Sequence, residues 1–297
     1  MNIAQILPQI AADRHVLLAG PTASGKSALA LALAQAQGGV IVNGDALQVW
    51  SCWRVLSARP SAEEEAQAPH RLYGHMVPGA DWSVGAWLDQ VRHIHAGGER
   101  LIVVGGTGLY LHALAHGLAV IPPVPPELRA EADARLAAYD GLARMVQELD
   151  PGTARHLDLR NPARVQRAWE VLRATGRGLA DWQAETPPPL IGPEISQRLV
   201  LTTDRDWLAD RIARRFHLMM AQGALEEVRQ MLPQWQPRAL WARAIGAPEL
   251  VAHLRGELSL GEAVDRAIIA SRQYAKAQRI FFRNRMRDWQ TLPITPN

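Results

Sequence analysis

Residues Gly20-Pro21-Thr22-Ala23-Ser24-Gly25-Lys26-Ser27 follow the apolar run His15-Val16-Leu17-Leu18-Ala19 and fit the phosphate-loop pattern G-x-x-x-x-G-K-[ST]. A strand, a glycine-rich turn and a helix opening at the lysine bring backbone amides and a helix N-terminus to one point, which makes a cradle for anionic oxygens. Lys26 would neutralise those oxygens, and the Ser27 hydroxyl is placed to ligate Mg2+. Nothing in the loop reads a base, so the motif alone does not choose between a nucleotide and another phosphorylated ligand.

The loop also constrains the fold. A helix over about 26–36, strands at Val40-Ile41-Val42 and Arg100-Leu101-Ile102-Val103-Val104, a helix over about 107–116 and a strand in 197–204 alternate along the chain. That alternation predicts an α/β protein with a P-loop NTPase-like parallel sheet and helices on both faces. Ligands of such sheets bind beyond the carboxyl ends of the strands. The phosphate loop, Gly44-Asp45-Ala46-Leu47-Gln48-Val49-Trp50 and Gly105-Gly106-Thr107-Gly108 all leave strands at that edge. Val49, Trp50, Trp82, Trp87 and Leu88 read as packing residues. The C-terminal third reads as helical, ending near Trp289.

Two proline-rich connectors, 121–127 and 186–194, bracket a segment patterned as helix throughout. They predict an all-helical insertion subdomain over 118–194, with a core made of 1–117 and 195–297 that is helical toward its C-terminal end. The helix after residue 204 should bury Leu208, Ile212, Phe216 and Met220.

Composition excludes several alternatives. At 297 residues, 48% hydrophobic and 21% charged, the chain reads as an ordinary soluble protein with no membrane span and no secretory leader. Cys52 is the sole cysteine, so an intramolecular disulfide and a cysteine-based zinc site are out, and a cytoplasmic setting is expected. The net charge of +3 says little, but Arg266 to Arg287 holds seven basic residues and no acidic one. Of 32 Lys and Arg residues only Lys26 and Lys276 are lysine. Lysine persists in the phosphate loop because a compact ammonium fits between phosphates where a planar guanidinium does not.

Several side chains carry candidate chemistry. Asp45 can hold a metal, take a proton from a nucleophile, or cap a following helix. The Gln48 amide could read a base edge. Thr107 could contact substrate or cap its own helix. Arg272, Lys276, Arg279 and Arg283 fall on one helical face with aromatic residues among them, a pattern suited to a nucleic-acid backbone. Arg129, Arg164 and Arg167 add cations in the helical segment.

In order along the chain, GPTASGKS, D-x-x-Q-V-aromatic at 45–50, APHRLYG at 68–74, GGTGLYL at 105–111, NPARVQRAWEVLRATG at 161–176, RAIG at 243–246 and SRQYAKAQRIFFRNR at 271–285 resemble the tRNA dimethylallyltransferase family. The resemblance implies transfer of a dimethylallyl group from dimethylallyl diphosphate to N6 of an adenosine beside the anticodon of tRNA. It implies that residues 20–27 hold the diphosphate with Mg2+ on Ser27, that Asp45 is the general base, that Thr107 positions the reacting groups, and that Arg243 meets the leaving pyrophosphate. For the tRNA anticodon stem-loop it implies contacts from Asp45, Ala46, Leu47, Gln48, Thr107, Arg129, Ala163, Arg164, Val165, Gln166, Arg167, Arg243, Lys276, Gln278, Arg279 and Arg283. A monomer is expected. The chain departs from the family pattern at Ala46, at Leu56-Ser57, at Ala247-Pro248 and at Ala277. A P-loop kinase and prenyl transfer to free AMP are the competing readings, the second disfavoured because a free nucleotide needs no basic helix.

Overall fold

A computed structural model describes residues 3–294. Six strands form one all-parallel sheet: β1 His15–Ala19, β2 Val40–Asn43, β3 His70–Arg71, β4 Leu101–Gly105, β5 Ser196–Thr203 and β6 Gln290–Ile294. Their order is β3-β2-β4-β1-β5-β6. β1, β2 and β4 are apolar runs because helices cover both faces of a parallel sheet, and nearly every residue in them is buried. Helix Lys26–Gln37 lays Leu29, Ala30 and Leu33 on that sheet, where they join Val16, Leu18, Ile41, Ile102 and Leu199 in the main core. Register decides where the chemistry goes. Ala19 lies beside Gly105, and Asn43 beside Val104, so three strands end level and three motifs leave from one edge.

Two strands were not anticipated. β3 has only two residues, too short for a periodicity to show. β6 carries Pro293, which cannot donate to a ladder and argues against a strand in sequence. β6 nevertheless forms, because at the sheet's margin it pairs on one side alone, along β5.

Two compact units are present, residues 1–115 with 190–297, and residues 116–189. The second consists of helices Pro126–Ala137, Gly141–Gln147, Pro151–His156, Pro162–Thr175 and Leu179–Ala184 around Ala132, Met145, Leu149, Val165, Ala168 and Trp169. Inside it the Trp169 indole donates to Glu148 at 2.7 Å. Its end falls before the 194 drawn from the prolines. Ile191 is fully buried and donates its amide to the Leu114 carbonyl at 3.2 Å, so the end of the proline run belongs to the sheet unit.

In the sheet unit, helix Arg205–Ala221 buries Leu208, Ile212 and Phe216 as expected, with Met219 in place of Met220 completing the stripe. The 26-residue helix Leu260–Arg285 starts at a capping box between Ser259 and Glu262, which satisfies amides that a helix start leaves open. Among the described residues no helix is long and apolar enough to cross a membrane.

Candidate active site

The phosphate loop turns through two positive-φ residues, Ala23 at 62° and Gly25 at 94°, before helix Lys26–Gln37 begins. Such a path turns successive amides inward, and glycine adopts it at no steric cost. The Ser24 hydroxyl is buried in the loop without a hydrogen-bond partner, an orphan that suits a site built for an added acceptor. Lys26 reaches back to the Pro21 carbonyl at 3.5 Å. Desolvation pulls its pKa down to about 8, with the Asp45 charge opposing and Arg215 reinforcing the drop. Ser27 is exposed on the first helical turn.

Asp45 does not cap a helix, because none follows it. Its position comes instead from Asn43, the buried last residue of β2. Asn43 Oδ1 accepts the Asp45 amide at 2.9 Å, while Asn43 Nδ2 donates to the Asp45 and Leu72 carbonyls, each at 3.0 Å. Asp45 Oδ1 accepts the Leu47 amide at 2.9 Å. Oδ2 points toward Gly106, where an added methyl would lie 3.4 Å away. One oxygen thus holds the turn and the other stays free for chemistry.

Thr107 likewise acts across the gap between strands. Its hydroxyl accepts the Ala46 amide at 2.9 Å, which ties the β4 motif to the β2 motif beside Asp45. The strand ends must come close for this. A methyl on Gly105 would sit 2.0 Å from the Gly44 carbonyl oxygen, so only glycine fits.

Helix Arg205–Ala221 supplies cations that sequence reasoning missed. Arg215 Nη1 lies 3.4 Å from Thr22 Oγ1, and Arg211 Nε donates to the Ala23 carbonyl at 3.0 Å while its guanidinium stacks 4.7 Å from the Trp207 ring. Burial lowers the Arg215 pKa, Asp45 opposes the drop, and Arg211 adds to it. Lys26, Arg215 and Asp45 are therefore one electrostatic cluster. A cavity of about 80 Å³ opens there, lined by Thr22, Asp45, Leu47, Arg215 and Tyr274, with Leu56, Ile212, Phe216 and Ile245 giving it an apolar wall. Burial, then the Asp45 charge, pushes the Tyr274 hydroxyl well above the usual phenol range.

Gln48, Gln278, Val165 and Gln166 are engaged within the protein itself, while the expected arginines, Arg279 apart, are exposed. Arg243 is exposed at the end of the turn Trp241–Arg243, whose Trp241 and Ala242 are buried, and is not among the residues lining the cavity, although its neighbours Ala244 and Ile245 are. The Gln48 amide donates to the Ser57 and Ala58 carbonyls at 2.9 and 2.8 Å, so its protons brace the 50s loop and are not offered to a base. That loop is held from its other side by Glu227, which accepts the amides of Arg54, Val55 and Leu56. Gln278 is 5% exposed and bonded to backbone on both sides, and Val165 is fully buried in the helical unit's core. Gln166 is engaged with Asp133 and Glu170. Ala163, Arg164, Arg167 and Arg129 are exposed in the helical unit, and Arg272, Lys276 and Arg283 are exposed on helix Leu260–Arg285 with Arg279 half-buried between them.

Residues 48–285 match the sequence model of the family described as IPP transferase, and residues 14–80 match that of isopentenyl transferase. The chain belongs to the IPP transferase family. A tRNA dimethylallyltransferase from Paracoccus denitrificans is 66% identical across 97% of this chain and 97% of its own. One from Cereibacter sphaeroides (strain KD131) is 65% identical across 97% and 91%. Among solved structures, a tRNA isopentenylpyrophosphate transferase from Bacillus halodurans superposes with a TM-score of 0.66 at 30% identity, covering 95% of this chain and 90% of that one. A eukaryotic dimethylallyltransferase acting on tRNA shares the fold with a TM-score of 0.78 at 24% identity, over 94% and 73%. This IPP transferase is thus an enzyme of the prenyl-transferring class, and its phosphate loop, Asp45 and Thr107 meet at one sheet edge.

Proposed function

We propose that this enzyme transfers a dimethylallyl group from dimethylallyl diphosphate to N6 of the adenosine beside the anticodon of tRNA and releases pyrophosphate. The observation that carries the reading is the free carboxylate oxygen of Asp45 beside Lys26 and Arg215 at the mouth of the phosphate loop. An exocyclic adenine amine is a weak nucleophile, since its lone pair is delocalised into the ring. As the bond from N6 to the first prenyl carbon forms, Asp45 Oδ2 takes the N6 proton. The carbon–oxygen bond of the donor breaks, and its electron pair leaves with the pyrophosphate. Lys26 and Arg215 neutralise the charge that develops there, in a desolvated setting where each cation counts for more than in water. Thr107 holds the Ala46 amide and so keeps the Asp45 turn in register. The apolar wall of Leu56, Ile212, Phe216 and Ile245 suits a five-carbon chain and excludes water from it.

The oxygen donors present also fit Mg2+. Among the described residues no cluster of three His, Cys, Asp or Glu side chains could cage a metal, but Mg2+ usually keeps its waters and binds through few protein oxygens plus substrate phosphates. The exposed Ser27 hydroxyl would be its protein ligand, and the ion would add charge neutralisation at the diphosphate. On the RNA side, Arg272, Lys276, Arg279 and Arg283 would meet phosphates, and the target base must leave its stack to reach Asp45.

Incubation with dimethylallyl diphosphate and unmodified tRNA, followed by digestion and nucleoside mass analysis, tests this reading. A prenylated adenosine is expected. Unmodified nucleosides would overturn it, and labelled phosphate passing from ATP to a small acceptor would replace it with a kinase.

A further inference from the structure

Gln278 lies on the same helix as Lys276, Arg279 and Arg283 but faces inward. Its Oε1 accepts the Thr22 amide of the phosphate loop at 2.9 Å, and its Nε2 donates to the Gly106 carbonyl at 2.8 Å. A methyl on Gly106 would lie 2.3 Å from that nitrogen, so the glycine is what lets the amide reach. Gly106 is followed by Thr107, whose hydroxyl holds the Ala46 amide next to Asp45.

From this chain of bonds we propose that Gln278 is a positioning residue that sets the distance between the bound donor and the base. One end of its amide holds the loop that carries the diphosphate. The other holds the peptide that leads, through Thr107 and Ala46, to Asp45. The inference rests on the prenyl-transfer reading, and it goes beyond it by assigning alignment of donor and base to a residue that touches neither. Alignment acts on the reaction step, because the loop amides and Lys26 still bind pyrophosphate when the staple is cut, whereas a small displacement of reacting atoms lowers the rate steeply.

The test is Gln278→Met, which keeps length and bulk and removes both bonds. With wild-type transfer established first, single-turnover prenyl transfer and calorimetric pyrophosphate binding are measured side by side, with circular dichroism to check the fold. The expected result is a rate loss of roughly 30-fold or more with pyrophosphate affinity within about threefold of wild type. Thr107→Val on top of Gln278→Met should cost much less than it does alone, since both act along one line of bonds. Where Gln278→Met fails to fold, Gln278→Glu decides: it keeps the acceptor for Thr22, loses the donor to Gly106, and should slow transfer by at least about fivefold. A wild-type rate in whichever variant folds overturns the proposal, and so does a loss confined to pyrophosphate affinity. Absence of transfer by the wild-type enzyme would instead sink the function it rests on.

Discussion

The carboxyl edge of the sheet and the outer face of helix Leu260–Arg285 are both cationic, yet they use charge in opposite ways. At the sheet edge Lys26 and Arg215 are desolvated, crowd one carboxylate, and touch the loop itself. On the helix Arg272, Lys276 and Arg283 stand in solvent, spread along one face. A desolvated cation interacts strongly with a single partner and is poorly screened, whereas exposed cations act in sum and weaken with salt. The difference teaches what each region can do: the edge can stabilise charge that appears during a reaction, and the helix can hold a long polyanion without reading it.

The largest effect expected on the edge side is from Asp45→Asn. Asparagine keeps an oxygen for the Leu47 amide and so preserves the turn, but it takes no proton. Single-turnover transfer should fall on the order of 10²- to 10⁴-fold, while tRNA binding by filter assay stays within a few-fold.

Next comes Lys26→Met, which should weaken pyrophosphate binding by roughly 10- to 100-fold in calorimetry. It should also remove a pH dependence. Because Lys26 titrates near 8 in the folded chain, wild-type affinity for pyrophosphate should drop as pH rises through about 8, with proton uptake on binding. The same shift predicts a stability effect of definite sign. Between about pH 8 and the ordinary lysine value of 10.5 the unfolded chain binds the extra proton, so the ligand-free protein gains stability as pH rises through that window. Lys26→Met should lose that gain in thermal melts followed across the window.

On the helix side the effects should be smaller and graded. Arg279→Ala and Arg283→Ala should each weaken tRNA binding a few-fold at moderate salt and flatten the slope of log affinity against log salt by about one. A salt slope that stays put would show that these arginines do not meet phosphate and would erase the contrast.

How much of this was legible in sequence follows from where each residue sits. The phosphate loop, Asp45 and Thr107 could be read because each comes directly after a strand, and strand ends in a parallel sheet converge by register alone. Arg215 could not. The run Arg211-Ile212-Ala213-Arg214-Arg215 offers three arginines on one helix, and only the packing of Ile212 and Phe216 against the sheet unit decides which of them turn toward Thr22 and Ala23. Asn43 carries no signal of its own in the sequence, because its role depends on the path of the chain after it. Gln278 was grouped with its basic neighbours, although two residues along a helix turn a side chain most of the way round. Pro293 hid β6 for the reason prolines usually do. Sequence pattern therefore reached strands β1, β2, β4 and β5 and where they end, missed the short β3 and the proline-bearing β6, and stopped where a side chain's direction depends on what packs beneath it.

The most direct test of the contrast is pyrophosphate affinity and prenyl-transfer rate in Arg215→Ala beside Arg243→Ala. Arg215→Ala should cost roughly 10-fold or more in each quantity, as expected when a charge-assisted hydrogen bond is removed from a desolvated site. Arg243→Ala alters an exposed side chain outside the cavity and should change both by less than about threefold. The reverse ranking would contradict the account.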